Sequence, residues 1–152
     1  MRKIIGIDPG FNGGIAVLNA DTAEVIEVVA MPDTIADISD VIERHKDAMC
    51  AYIEIVHSMP KQGVASTFTF GKYYGYVQMA VQAHKVRCID VQPSKWQAFF
   101  SLKSDKGETK TQHKNRLKHR AQQLFPNVKI TLATADALLI AEYGRKQEVF
   151  NG

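Results

Sequence analysis

Three acidic residues of the sequence lie in apolar surroundings, where a carboxylate is costly. Asp8 ends the first apolar run of the chain, Glu54 lies within a later one, and Asp136 directly precedes a third. Buried carboxylates are usually paired, hydrogen-bonded or bound to a metal ion. These three residues are therefore candidates for a site that carries chemistry.

Binding of hard divalent cations is the chemistry that neighbouring carboxylates favour. Carboxylates brought together repel one another and take up protons unless a cation holds them. Mg²⁺ prefers oxygen ligands, and two ions about 4 Å apart suit the hydrolysis of a phosphodiester. Each acid also has a structural alternative: Asp8 as a turn-forming residue, Glu54 on an exposed edge strand, and Asp136 as a charge in the first turn of a helix.

The pattern of apolar and turn residues predicts the elements that would position these acids. It predicts strands at 3–8, 15–18, 24–30, 50–56 and 86–91, a short extended piece at 129–131, and helices at 35–46, 66–84, 111–124 and 135–143. Three strands joined by short turns predict an antiparallel meander, and the order as a whole predicts an α/β protein with a mixed five-stranded sheet flanked by helices. If the first and fourth strands are neighbours, Asp8 and Glu54 meet at one edge of the sheet. The last helix, with Thr134 as its N-cap and Gly144 near its end, then brings Asp136 to the same point.

Length and composition indicate a single domain over residues 1–152, with a hydrophobic fraction of 45% and a charged fraction of 23%. Disorder is excluded as the main state, and no run approaches the roughly 18 apolar residues of a membrane span. The short apolar stretch after Lys3 argues against a secretory signal. Cys50 and Cys88 lack the spacing of metal ligands, so we expect two buried thiols in a reducing compartment.

Positive charge is concentrated in one segment of the chain. The net charge is +3, but residues 103–120 hold seven basic and two acidic residues, a net charge of +5. Such a segment predicts a polyanionic partner, and the alternative is a solvated, mobile loop. The stretch 101–109 that leads into the basic helix is rich in polar residues and is expected to become ordered only on the partner.

Several motifs occur in a fixed order along the chain. They are IGIDPGFNGG at 5–14, the acid of the fourth strand, PKQGVASTFTFG at 60–71 with YG at 74–75, VQPSKW at 91–96, LFP at 124–126 and ADALL at 135–139. Together they resemble the RuvC-type Holliday junction resolvases, and most of all the compact versions found in phages and bacterial genomes. The first motif alone is shared with actin-like and sugar-kinase folds, whereas the combination spans nearly the whole chain.

This resemblance implies a ribonuclease-H-like fold, a homodimer, and paired symmetric nicking of four-way DNA junctions. By position, Asp8, Glu54 and Asp136 match the family's metal-binding acids and are the expected catalytic residues, with two Mg²⁺ ions per active site and Mn²⁺ as a substitute. No membrane and no organic cofactor is expected. The expected location is the cytoplasm of a bacterial cell or of a phage-infected host.

One departure from the family concerns the metal ligands. Related enzymes commonly carry a fourth acid or a histidine three or four positions before the last aspartate. Here those positions hold Ala133 and Leu132, which bind no metal. Glu142 is a poor substitute, because six residues along a helix turn it about 120° away from Asp136.

Contacts with DNA are expected from cations and from one loop. The candidates for phosphate contacts are Lys61, Lys72, Lys95, Lys110, Lys114, Lys118 and Arg120. The candidates for contact with the junction itself are His57, Met59 and Phe68, with an aromatic side chain wedged between opened bases. The alternatives are a surface role for His57, a place in the core or a dimer contact for the aromatic residues at 68–76, and simple packing for Trp96.

The function that the sequence predicts is therefore a Holliday junction resolvase, a metal-dependent endonuclease selective for DNA structure. One alternative is a junction-binding protein with impaired catalysis, because the fourth ligand is absent. Another is a ribonuclease-H-like nuclease that acts on RNA or on duplex DNA.

Overall fold

A computed structural model describes residues 1–55 and 61–151 of the chain. The elements in chain order are β1 (Lys3–Asp8), β2 (Gly14–Asn19), β3 (Val25–Ala30), α1 (Ile35–Arg44), β4 (Cys50–Glu54), α2 (Val64–Ala83), β5 (Cys88–Val91), α3 (Pro93–Phe99), α4 (Lys110–Leu124) and α5 (Leu132–Phe150). Among the described residues, no helix is both long enough and apolar enough to cross a membrane.

The five strands form one mixed sheet in the order β3-β2-β1-β4-β5. β1 and β3 run antiparallel to β2, whereas β4 runs parallel to both β1 and β5. This confirms the predicted sheet of three antiparallel strands followed by parallel ones. Because Ile7 of β1 lies opposite Ile53 of β4, the acids that follow these two residues end adjacent strands at the same edge.

Alternate strand residues pack into two separate cores, one on each face of the sheet. On one face, Ile7 and Ile53 pack with α1 and α2. On the other face, Ile4 and Tyr52 pack with α3, α4 and α5. Since side chains alternate along a strand, Asp8 and Glu54 belong to the face that α5 covers.

Helix α5 approaches the sheet unusually closely at Gly6. A Cβ atom on Gly6 would lie 2.3 Å from the backbone nitrogen of Ala141 and 2.5 Å from the carbonyl oxygen of Ala137. Only glycine allows this contact, so the sequence of β1 sets the height of α5, and of Asp136 on it, above the strand that ends in Asp8.

Helix α5 extends beyond both of its predicted ends. It begins at Leu132, three residues before the predicted start, because the Thr131 N–H donates to the Thr134 hydroxyl oxygen at 3.0 Å and caps the helix there. It continues through Gly144, the expected terminator, because that glycine leaves room for the ring of Tyr52 rather than ending the helix. Asp136 is therefore the fifth residue of the helix, so the expected place in the first turn is wrong.

Two further differences lie on either side of the basic helix. The structure contains α3, which the predicted elements do not include. Proline at the first position of a helix lacks an N–H that would have no partner there anyway. The extended piece predicted at 129–131 is not a strand. Both cysteines are free thiols, but only Cys50 is buried as expected, whereas Cys88 is half-buried.

Helix α2 is apolar on more than one side, although only one side covers the sheet. Its inner face buries Val77, Ala80 and Val81. The residues at the opposite helical phase form what we call the outer face of α2: Phe68, Gly71, Lys72, Gly75 and Met79. Phe68 and Met79 are each 68% exposed, and no described atom lies within 4 Å of where a Cβ on Gly71 or Gly75 would be.

Candidate active site

Three elements bring the predicted acids together on the α5 face of the sheet. Asp8 is the last residue of β1, and Glu54 is the last residue of the parallel neighbour β4. Asp136 lies on α5, the helix that packs directly over β1. All three carboxylates are half-buried. The structure therefore meets the condition set from the sequence, because β1 and β4 are neighbours and α5 lies over β1.

The pKa values of the three acids show that their charges oppose one another. The pKa of Asp8 lies well above its ordinary value, first because of burial and then because of the charges of Asp136 and Glu54. Burial raises the pKa of Glu54 to about 7 and that of Asp136 to about 6. In the absence of a cation, the cluster therefore holds protons near neutral pH.

The donor set fits hard divalent cations. Within residues 1–55 and 61–151, the structure places no group of three His, Cys, Asp or Glu side chains so that they could hold one metal ion together, and this includes Asp8, Glu54 and Asp136. Mg²⁺ does not require such a group, because it usually keeps several waters and takes one or two carboxylates together with substrate phosphates. Mutually repelling carboxylate oxygens at one edge of a sheet are suited to that kind of site.

The positions of the expected fourth ligand hold no donor side chain, and Glu142 does not replace one. Arg145 donates to both oxygens of the buried Glu142, at 2.7 and 2.9 Å. Ala133 is half-buried, with its carbonyl oxygen close to Gly14 of β2. The structure thus agrees with the expectation that Glu142 is a poor substitute.

Sequence reasoning missed the hydrogen bond that holds Glu54. The indole Nε1–H of Trp96 donates to Glu54 Oε2 at 2.6 Å. Trp96 lies on α3 and is completely buried in the core beneath α5. The sequence predicted its packing, but it carried no signal that its N–H would reach a residue 42 positions earlier.

Sequence reasoning also missed how close α4 lies to the acids. The charge of Lys114 lowers the pKa of both Asp8 and Asp136, and the charge of His113 lowers that of Asp136. Lys114 itself is exposed. A cation on the first half of α4 therefore faces the carboxylates, where it partly offsets their repulsion.

The segment 101–109 is attached to α4, contrary to the prediction of a mobile linker. The guanidinium of Arg116 donates to Glu108 at 2.8 Å and to the Lys103 carbonyl oxygen at 2.6 Å. His113 Nε2–H donates to the Leu102 carbonyl oxygen at 2.7 Å. These contacts join the end of α3 to α4. Both acids of the basic segment form ion pairs with Arg116, Glu108 at 2.8 Å and Asp105 at 3.7 Å, and neither is paired with a described lysine.

The remaining predicted DNA contacts occupy varied positions. Lys61, Lys72, Lys95 and Lys110 are exposed, and Lys118 and Arg120 are half-buried. Arg120 donates to the Phe100 carbonyl oxygen at 3.1 Å, whereas Lys72 lies 5.5 Å from the ring centroid of Phe68. Among the described residues, none of these six cations forms an ion pair. His57 and Met59 lie outside the described residues.

A cleft of about 270 Å³ lies beside the turn that follows Asp8. Phe11 and Phe70 line it, together with Asn12, Ser66 and Thr69. The ring of Phe70 packs against Gly10, whose φ of +124° is open to glycine. Phe70, expected in the core or in a dimer contact, is 40% exposed and lies against the turn that follows Asp8.

Comparison with solved structures identifies the fold. RuvC of Thermus thermophilus in complex with a Holliday junction substrate matches with a TM-score of 0.69 and 18% identity, covering 97% of this chain and 96% of that one. A second structure of Thermus thermophilus RuvC matches with a TM-score of 0.66, the same identity and the same coverage. No protein-family model matches the sequence, and no curated protein matches it.

These similarities extend over almost the whole chain, although few residues are identical. The chain thus has the ribonuclease-H-like fold of RuvC, which confirms at the level of the fold the resemblance drawn from its motifs. A fold alone does not determine an activity, so the function must be argued from the site.

Proposed function

We propose that the protein is a Holliday junction resolvase, a DNA endonuclease that makes paired symmetric nicks in four-way junctions. The observation that carries this proposal is the meeting of Asp8, Glu54 and Asp136 on a RuvC-like fold. One of the similar structures is a RuvC bound to a Holliday junction substrate, which supports a junction as the partner.

Asp8, Glu54 and Asp136 would hold two Mg²⁺ ions, or Mn²⁺ ions in their place. When bound, such ions supply an activated water and stabilise the charge that develops on the leaving oxygen. The protein's own contribution is to hold three carboxylates at the ends of rigid elements. Each carboxylate then needs little reorganisation when the phosphodiester arrives.

Helix α4 would supply the contacts with the DNA backbone. Lys110, Lys114 and Lys118 follow one another at intervals of one helical turn, so they lie along one side of the helix. Because Lys114 also faces the acids, the same side would guide a phosphate towards them. Lys61 and Lys95 are also exposed and are further candidates for contacts with phosphates.

A homodimer follows from the proposed reaction. One domain with one cluster of acids cuts one strand, whereas a symmetric pair of nicks requires two such clusters. The outer face of α2 is the surface on which we place the second copy, because it joins exposed Phe68 and Met79 through two glycines that leave the backbone accessible. An exposed apolar patch of this kind is typical of an interface.

The first test is a nicking assay with a labelled four-way junction, a plain duplex and an RNA/DNA hybrid, in Mg²⁺ and in Ca²⁺. We expect symmetric nicks in the junction alone. Asp8→Asn should abolish nicking while junction binding persists, and the exposed control Asp33→Asn should nick like the wild type. Cleavage of the duplex or hybrid at the same rate would contradict selectivity for junctions.

A second candidate is a junction-binding protein with impaired catalysis, which the alanine at position 133 favours. It predicts tight junction binding without nicks in Mg²⁺ or Mn²⁺. In that case, Ala133→Asp would restore nicking if the missing carboxylate were the cause. Nicking by the wild-type chain would exclude this candidate.

A further inference from the structure

The buried indole of Trp96 and the carboxylate of Glu54 form a contact that no packing argument requires. Trp96 Nε1 lies 2.6 Å from Glu54 Oε2, and the ring is completely buried. A buried indole needs one acceptor for its single N–H, and any backbone carbonyl would serve. Here the acceptor is one of the three clustered acids.

This contact restricts a side chain that would otherwise rotate. A glutamate has three torsions between its backbone and its carboxylate, and Glu54 stands on the last residue of β4. The ring of Trp96 is fixed in the core by neighbours that include Val91, Phe100 and Leu102. The hydrogen bond therefore transmits the rigidity of the core to one oxygen of the carboxylate.

The indole also determines which oxygen remains available. Its N–H can only donate, so it occupies one lone pair of Oε2 and competes for no ligand. Oε1 and the other lone pair of Oε2 are not used by this hydrogen bond. In a two-ion site, the oxygens of each carboxylate must point in a fixed direction. For Glu54, the hydrogen bond from Trp96 on α3 sets that direction.

We propose that Trp96 is a positioning residue that orients the Glu54 carboxylate for divalent cations. The inference rests on the proposed function in so far as that function makes Glu54 a metal ligand. Residues that hold a metal ligand in this way typically contribute 10- to 100-fold to metal affinity or activity.

The test compares two core substitutions of similar size. Trp96→Phe removes the N–H and keeps an aromatic ring, whereas Phe125→Leu perturbs the same core without touching Glu54. We expect the Mg²⁺ concentration for half-maximal nicking to rise about 10- to 100-fold in Trp96→Phe only. The rate at saturating Mg²⁺ should recover most of its wild-type value, and calorimetry should show the same loss of Mg²⁺ affinity without DNA.

The wild-type chain offers a second measurement that requires no variant of Trp96. Trp96 is the single tryptophan of the sequence, so all tryptophan fluorescence comes from this one ring, whose N–H donates to Glu54. We expect Mg²⁺ to change the emission of the wild type, with the same midpoint as in calorimetry, and to leave Glu54→Gln unchanged. This measurement remains decisive if Trp96→Phe does not fold.

The outcomes separate this inference from the proposed function. The positioning role would be overturned if Trp96→Phe and Phe125→Leu required the same Mg²⁺ concentration for nicking, or if bound Mg²⁺ left the tryptophan emission unchanged. Neither result would contradict the nicking of junctions. A metal-dependent emission change in a protein that nicks no junction would support Trp96 and contradict the nuclease. A wild type that binds no Mg²⁺ would overturn both.

Discussion

Protons and metal ions compete for the same three carboxylates. Burial raises the pKa of Glu54 to about 7 and that of Asp136 to about 6, and Asp8 is raised as well. In the unfolded chain these groups release their protons near pH 4. The metal-free folded protein therefore binds more protons than the unfolded chain between about pH 4 and pH 7.

The sign of the resulting pH dependence follows from linkage. A carboxyl group whose pKa is raised by folding stabilises the fold below its unfolded pKa, and that stabilisation is lost as the pH rises through the folded value. Mg²⁺ binds the ionised form, so its effect has the opposite trend. We expect about 10 mM Mg²⁺ to raise the melting temperature by several degrees at pH 8 and to leave it almost unchanged at pH 5.

Differential scanning calorimetry with and without Mg²⁺ at the two pH values checks this prediction. Glu54→Gln is the matched variant, because it removes one titrating ligand and should reduce the Mg²⁺ effect at pH 8. An equal Mg²⁺ effect at pH 5 and pH 8 would mean that the cluster does not bind the ion.

At the scale of elements, the basic segment consists of two different parts. Arg116 is fixed by Glu108 and holds the loop before α4, so it serves the structure. Lys110 and Lys118 form no ion pair with any described residue, so their charges are available to DNA. Total charge alone, as read from the sequence, does not distinguish these roles.

Removing the available lysines should weaken DNA binding in a manner that depends on salt. Each phosphate contact releases counterions, so binding falls as salt rises. Lys110→Ala and Lys118→Ala should each make the slope of log K against log salt shallower by about 1. Lys46→Ala is the control, because it lies before β4, at the opposite end of that strand from Glu54. Fluorescence anisotropy with a labelled junction in Ca²⁺ measures the slopes, and an unchanged slope in both variants would contradict a role for α4.

The sequence predicted strands and the meeting of the acids more reliably than the helices around them. β1 and β4 are short apolar runs with few alternative structures, whereas their parallel pairing was only a condition at the level of the sequence and is supplied by the structure. The start of α5 depends on a hydrogen bond between Thr131 and Thr134, and the contact of Trp96 with Glu54 depends on the path of α3. Neither local propensity nor spacing reports such contacts, because they depend on tertiary packing.

At the scale of the whole molecule, α2 has two apolar sides and the sheet covers one. A helix that is apolar all round is normally buried on every side. A second copy packed on the outer face would complete that burial and would place two clusters of acids in one assembly. The fold of a single chain is therefore predicted to be half of the working unit.

A charge introduced on the outer face should separate the two copies without unfolding either. We expect Gly75→Glu and Met79→Asp to sediment as monomers at concentrations where the wild type is a dimer, with an unchanged circular dichroism spectrum. Ala36→Asp, on the exposed side of α1, should remain dimeric. The monomeric variants should nick junctions on one strand at a time, and a wild type that sediments as a monomer would refute the dimer.

The close packing of α5 against Gly6 affects how sequence variation in this protein should be interpreted. A change from glycine to alanine preserves charge, polarity and every acid of the site, and common scales of residue similarity score it as mild. Yet a Cβ there has no room beneath Ala137 and Ala141, so α5 would have to lift and carry Asp136 away from Asp8. Loss-of-function alleles at position 6 are therefore expected among natural variants whose catalytic residues all look intact.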